Sequence, residues 1–339
     1  MKIVRFLPML LGAVTLATAA QAQTVNWTID GNRQSVNIGG IPGRTGVGAS
    51  VFGQNMYVAF TPANDPTNDG FNDQYMHILS TNGAQFTNDQ RLNMINGAGI
   101  SDANPSLTTS GSTLYLATNS QQSGTRGGFT DVFQSADGIN FAEAPIPPIS
   151  YTFTAYSPSL TTDPATGDVY LGVTNAADRT LTLCRLPANV GSWTCTNFPG
   201  HTQMGYNPAL AYWNGVLYVG FTQNANSHNC DLFTSTDHGQ TIQENTSLGG
   251  DQSSSNPSLA VYNNVLYYGF RSNDSGNNFI YKYSTNGVNF SGSLQTNNTK
   301  MGGSPMMVNA AGIPFNGNLL WNWNSANDSS NWLWWETAH

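Results

Sequence analysis

Charge is what this sequence has least of. Only 9% of its 339 residues are Asp, Glu, Lys or Arg, and Lys and Arg together number 11. The net charge of −8, with no basic cluster, argues against a nucleic-acid partner, which would need cations set against phosphates. Glutamate is rarer still, with Glu143, Glu244 and Glu336 as its only occurrences. The three cysteines form no CxxC pair, which argues against a thiolate zinc site. No stretch carries the periodicity of a useful amphipathic helix. The one apolar run, near the start, is too short to cross a bilayer and no later stretch could do so, so no membrane span is expected.

That run has its own reading. Lys2 and Arg5 make a short basic start, Phe6 to Ala19 is apolar, and "AQA" ends at Ala22. This is the layout of a cleaved export signal over residues 1–22. The expectation is a secreted or periplasmic protein starting near Gln23. Such a compartment permits disulfides. Cys184 and Cys195 flank "RLPANVGSWT", which reads as a hairpin connection, so these two are expected to pair and Cys230 to stay free.

Gly, Asn, Ser and Thr take the place of charge, and they recur in order. "NPALAYWNGVLYVGF" begins at Asn207 and "NPSLAVYNNVLYYGF" at Asn256. Related copies begin at Gly46, Asn104, Ser157 and Ser304. A period of about fifty residues signals a solenoid, propeller or array. In the copy from Asn207, "PALAYW" and "VLYVGFT" flank an Asn-Gly hairpin turn, and "CDLFTS" and a further run follow. Four short antiparallel strands, A to D, repeated radially make propeller blades. The expected fold is therefore all-β: one six-bladed β-propeller over residues 23–339, with blades starting near 46, 104, 157, 207, 256 and 304. The last repeat writes only three strands, so Thr24–Gly31 is expected to add the fourth and close the ring. The alternating Trp321, Trp323, Trp332 and Trp334 are read as packing at that closure.

The turn between strands C and D recurs as well: "STNGAQF" from Ser80, "SADGINF" from Ser135, "STDHGQTI" from Ser235 and "STNGVNF" from Ser284. It resembles the Asp-box, or BNR repeat, of sialidase-like propellers, and Ser235, Asp237 and Gly239 match its spacing in full. The resemblance implies the fold and a structural turn. It does not extend to the sialidase catalytic set of three arginines, an acid/base aspartate, and a tyrosine nucleophile paired with a glutamate. Arg44, Arg126, Arg179 and Arg271 are the top-face arginine candidates, but all three glutamates map to strands C or D. A tyrosine nucleophile then lacks its activating base.

Antiparallel strands put the A–B and C–D turns on one face of the disk. The long B–C loops and D–A crossovers lie on the other, which is where variable loops carry function. Tyr156 and Tyr206 stand immediately before strand A at the channel lip, and an aromatic ring beside amides and hydroxyls suits a sugar. Asn207, Asp251 and Asp102 add polar groups on the crossovers, and Arg271 either clamps a carboxylate or pairs with Asp251 or Asp274. The expectation is an exported, lectin-like carbohydrate-binding protein whose partner is a glycan or other neutral polar ligand. A sialidase-like exo-acting glycoside hydrolase and a protein-interaction scaffold are the alternatives. No cofactor is expected unless it is calcium. Asp65, Thr67, Asp69 and Asp73 follow the first half of an EF-hand-type loop around Gly70, but Met76 stands where the bidentate glutamate belongs. If that loop holds calcium, EDTA lowers the melting temperature and Asp69→Ala removes the response, because a ligand of the native state stabilises it by mass action. A melting curve indifferent to EDTA returns the loop to an ordinary solvated acidic one.

Overall fold

The computed structural model describes residues 27–28, 47–60, 76–82, 87–92, 104–121, 128–145, 147, 149, 157–175, 177–199, 204–224, 227–245, 248–301, 303–310, 319–324 and 333–338. The export signal, the 65–73 loop, Asp102, Tyr156, Arg44 and Arg126 lie outside the described residues.

Among the described residues the chain is organised as strands. β1 (Trp27–Thr28) belongs to a closing sheet taken up below. Blade 1 is β2 (Gly48–Phe52), β3 (Asn55–Phe60), β4 (Met76–Thr81) and β5 (Thr87–Leu92). Blade 2 is β6 (Ser106–Ser110), β7 (Thr113–Gln121), β8 (Gly128–Ser135) and β9 (Ala142–Glu143). Blade 3 is β10 (Ser159–Thr162), β11 (Val169–Thr174), β12 (Leu181–Leu186) and β13 (Thr194–Phe198). Blade 4 is β14 (Ala209–Trp213), β15 (Val216–Thr222), β16 (Cys230–Ser235) and β17 (Gln243–Asn245). Blade 5 is β18 (Ser258–Tyr262), β19 (Val265–Arg271), β20 (Asn278–Ser284) and β21 (Leu294–Lys300). Each blade is an antiparallel sheet in simple chain order. Its two middle strands are the most buried, as β11 and β15 show.

The expectation of a six-bladed propeller is corrected here. Five blades are complete and contiguous in the chain. The closing sheet has three strands of its own, β22 (Met306–Asn309), β23 (Leu319–Asn324) and β24 (Leu333–Ala338). Its outer edge takes β1, with Trp27 opposite Ala338 and Thr28 opposite Thr337, which is the expected closure by an N-terminal strand within Thr24–Gly31. The reason for the overcount is physical. The repeated anchor marks inner strands, which carry the contacts between blades, whatever the outer strands do. Outer strands are also cut to two residues in β9 and three in β17.

The anchors explain themselves at the seams. Inner strands β2, β6, β10, β14, β18 and β22 lie side by side in that order, and β22 returns to β2. An inner strand has an unpaired edge, whose N–H groups need acceptors. The residue before the repeated proline supplies one. The Asn104 N–H donates to Ser157 Oγ, the Asn207 N–H to Asn256 Oδ1 at 3.0 Å, and the Asn256 N–H to Ser304 Oγ at 3.2 Å. The residue after the proline supplies another in the opposite sense. Ser106 Oγ accepts the Leu160 N–H at 2.8 Å, Ser159 Oγ the Leu210 N–H at 3.0 Å, and Ser258 Oγ the Met307 N–H at 2.7 Å. The letters N/S-P-S are thus the upper and lower rungs of a ladder between blades. Lower down, Thr108 Oγ1 and Thr162 Oγ1 meet at 2.9 Å, and Ser50 Oγ and Thr109 Oγ1 at 3.0 Å.

Behind the rungs, apolar side chains fill the seams. Ala209, Leu232, Leu259, Leu266, Tyr268 and Phe270 join blades 4 and 5 in one buried cluster. Gly220 in β15 has a role there: a Cβ would sit 2.7 Å from the Tyr268 ring, whose hydroxyl donates to Phe221 O at 3.2 Å. Cys230 is free and buried in the same cluster, and burial pushes its thiol pKa up. Cys184 and Cys195 face each other across β12 and β13 and are joined by a disulfide.

The serine turns latch each blade to the one before it. In blade 4, Ser235 Oγ accepts the Gly239 N–H at 2.9 Å, and Asp237 Oδ1 accepts the N–H groups of Gln240 and Thr241 at 3.1 and 2.9 Å. In blade 5, Gly287 has φ +71° and lies against the Tyr218 hydroxyl of blade 4, leaving no room for a Cβ. Blade 4 carries one more residue in this turn, and His238 Nδ1 meets the Tyr170 hydroxyl of blade 3 at 2.9 Å. These hydrogen bonds favour the ionised carboxylate. The Thr241 hydroxyl, then its N–H, holds Asp237 at about 2 instead of 3.8, and the Asn140 N–H leads the groups that pull Asp137 below the carboxylate range. A depressed folded pKa stabilises above the unfolded value and loses that contribution as pH falls through the folded one. Thermal stability should therefore drop between pH 4 and pH 2, and Asp237→Ala should lower the melting temperature at pH 7 while flattening part of that drop. Melting curves across this range check it, and an unchanged acid profile in the variant refutes it.

Candidate functional site

The inner strands enclose a cavity of about 630 Å³ along the axis, lined by the Asn/Ser-Pro starts of blades 2 to 5 and of the closing sheet and by residues of all six inner strands. Serine turns close one end of the blades. B–C loops and D–A crossovers surround the other, where the described residues converge at blades 3 to 5.

Tyr206 ends the crossover into blade 4. That segment is tied down by its backbone: Met204 donates to Arg179 O at 2.9 Å and Gly205 to Thr222 O at 2.7 Å, and the Thr174 hydroxyl donates to Tyr206 O at 3.5 Å. The Tyr206 ring lies 6.2 Å from the His228 ring, tilted by 38°. His228 sits on the B–C loop of blade 4 in left-handed backbone, φ 49°, and its carbonyl accepts the Ser253 N–H from the next crossover at 2.9 Å. Its Nδ1 is buried without a partner. Asn207, beside Tyr206, is 7% exposed and its Oδ1 is also buried without a partner, although its own N–H holds the rung to Asn256.

Arg271 ends β19. Its Nε donates to Ser254 Oγ at 2.8 Å, its Nη2 to Ser254 O at 2.9 Å and its Nη1 to Met301 O at 3.5 Å. All three acceptors are neutral. Among the described residues no carboxylate pairs with it. Burial lowers its pKa, and the neighbouring Tyr206 hydroxyl acts in the opposite direction. Neither sequence-level partner serves. Asp251 binds Lys282 Nζ at 2.5 Å and accepts the Ser293 hydroxyl, while Lys282, itself buried, also donates to Leu248 O at 2.6 Å. Asp274 accepts the Ser272 hydroxyl at 2.7 Å and the Gly276 N–H at 2.9 Å, and these bonds, the hydroxyl first, hold it below its usual range.

The structure thus brings Tyr206, Asn207 and Arg271 to one corner of the channel mouth and commits Asp251 to an ion pair. It adds His228, which the sequence reading left inside a polar loop. Its only signal there is a lone histidine among Asn and Ser in "QNANSHN". Arg179 also stands near, donating to Asn224 Oδ1 across the blade 3 and blade 4 loops. The corner offers a half-buried guanidinium with no counter-charge among the described residues, an aromatic pair and an unfilled acceptor. Those groups can bind hydroxyls and an anion. Glu143 lies on β9 and Glu244 on β17, both outermost strands, and Glu336 lies on β24.

No family model and no curated protein matches the sequence. Solved structures match the fold. A protein of unknown function from Dyadobacter fermentans superposes with a TM-score of 0.63 at 12% identity, over 88% of this chain and 96% of that one. Trypanosoma rangeli sialidase, in complex with the inhibitor DANA, gives 0.59 at 11% identity, over 87% of this chain and 55% of that one. Phage phi92 endosialidase gives 0.57 at 9% identity, over 88% of this chain and 67% of that one. This chain therefore spans about half the length of the sialidase it matches. At such identities the likeness is one of fold: the protein is a β-propeller of the kind seen in sialidases.

The Asp251–Lys282 pair is expected to be structural. Lys282→Met should cost about 3 kcal/mol in chemical denaturation, since it strips a part-buried carboxylate of its cation. A midpoint equal to wild type would show that the pair does not form in solution.

Proposed function

We propose that the protein is an exported carbohydrate-binding protein that takes an acidic glycan at the blade 4 and blade 5 corner of the channel mouth. The observation that carries this reading is Arg271, half-buried, bonded among the described residues to neutral acceptors and set beside Tyr206. A buried charge without a counter-charge is costly, and a ligand carboxylate would supply one in the geometry guanidinium favours. The Tyr206 and His228 rings would cover the C–H surface of a sugar ring, and Asn207 would meet its hydroxyls. Arg271 thereby turns the sequence-level expectation of a neutral ligand towards an acidic one. The fold shared with a sialidase and an endosialidase agrees with a carbohydrate ligand. Binding is preferred to hydrolysis because the glutamates of β9 and β17 sit at the rim, away from Tyr206.

One observation favours the hydrolase. Asp231, at the loop end of β16, is raised above its usual pKa by burial and accepts a bond from the Gln223 amide. A carboxyl pKa moved upward is the direction a general acid needs. A glycosidase needs a second carboxylate facing it across the bond, however.

A printed array of neutral and sialylated glycans, run beside hydrolysis of sialyl and aryl glycosides, separates the readings. Wild type should bind acidic glycans without releasing product. Tyr206→Ala should weaken binding by about 30-fold, the size of an aromatic hot spot. Arg271→Met should erase the preference for acidic over neutral glycans. Two variants that bind like wild type would put the ligand elsewhere. Turnover that Asp231→Asn abolishes would make the protein a hydrolase.

A further inference from the structure

The ladder between blades has one gap in its upper series among the described residues. Its upper rung runs from the backbone N–H of one blade to the side chain of the equivalent residue in the next. It is made from Asn104 to Ser157, from Asn207 to Asn256 and from Asn256 to Ser304. The remaining member of that series would run from the Ser157 N–H to Asn207 Oδ1. It is not made, and Asn207 Oδ1 is buried without a partner. The seam itself is sound, because its lower rung from Leu210 to Ser159 is in place at 3.0 Å. An unmet buried acceptor costs free energy, and here the side chain that would accept is present and unused, so the gap calls for an occupant.

We propose that this open rung is a subsite for a sugar hydroxyl, which donates to Asn207 Oδ1 and accepts from the Ser157 N–H. The inference rests on the carbohydrate reading and deepens it. The chemistry of the gap selects the group. One side offers an acceptor and the other a donor, and a hydroxyl is the small group that answers both at once. A carboxylate would set its lone pairs against Oδ1, and an ammonium has nothing to accept the N–H with. Both residues line the axial cavity. Asn207 also follows Tyr206 directly, so a sugar stacked on that ring would have a hydroxyl within reach of the rung.

The test uses two asparagines at one repeat position. Asn256 closes a rung and Asn207 does not. In the full chain, Asn256→Ala should lower the melting temperature by several degrees, since the Asn207 N–H loses its acceptor. Asn207→Ala should leave it unchanged or raise it, since no protein bond is lost. On the array of neutral and sialylated glycans, Asn207→Ala should bind at least tenfold more weakly than wild type, and Asn256→Ala should bind like wild type at a temperature where it is folded. If Asn207→Ala melts as low as Asn256→Ala, the rung is closed in solution and the subsite does not exist. If Asn207→Ala keeps both its melting temperature and its array signal, a solvent molecule fills the gap and the proposal fails. A wild type that binds no glycan overturns the carbohydrate reading and the subsite with it, whereas loss confined to Asn207→Ala supports both.

Discussion

Everything in this ring depends on how an inner strand disposes of its free edge. A backbone N–H facing a channel must find an acceptor, and here short side chains of the neighbouring blade provide it. Serine and asparagine suit the task because they are short, rigidly placed by the adjoining proline, and able to accept without bringing charge into the axis. The scarcity of charged residues then stops being a peculiarity. Interior hydroxyls and amides do the holding, and ion pairs are kept for special places such as Lys282 with Asp251.

The same dependence shapes the site. Crossovers leave one blade and enter the next directly above the rungs, so the residue before each proline stands at the channel mouth. Tyr206 owes its position to that connection and not to any loop of its own. His228 comes from the B–C loop of blade 4 and Arg271 from the end of β19, and their hydrogen bonds to the 253–254 segment fix them around the tyrosine. A ligand would thus meet a surface assembled from parts of adjacent repeats, each held by framework bonds.

Much of the fold was legible because it is written in repeats. The inner strands start where the N/S-P anchors said they would, the Asn214–Gly215 turn joins β14 to β15, and the glycine of "LYVGF" is answered by Tyr268. The blade count was misread for a physical reason. Inner strands keep their motif because seams demand it, while outer strands vary in length, down to two residues in β9 and three in β17, and leave little pattern to follow. The site was half legible. Tyr206 and Arg271 departed from what their repeats carry elsewhere, and departures can be seen. The loss of Arg271's presumed partners could not be, because pairing of Asp251 with Lys282 joins residues 31 positions apart in sequence through a crossover. His228 was hidden by a loop whose conformation no periodicity encodes.

The two rungs of a seam run in opposite senses: at the upper one a blade donates to its successor, and at the lower one the successor donates back. Sliding one blade along the axis past its neighbour would stretch both at once, whereas a slight parting of blades at the rim would strain neither. The ring is therefore stiff to axial shear and soft to radial opening. On either side of blade 4 only one of the two opposing rungs is made, Leu210 to Ser159 on one side and Asn207 to Asn256 on the other, where Ala209 replaces the accepting serine, so axial slip would concentrate at blade 4, beneath the candidate binding corner.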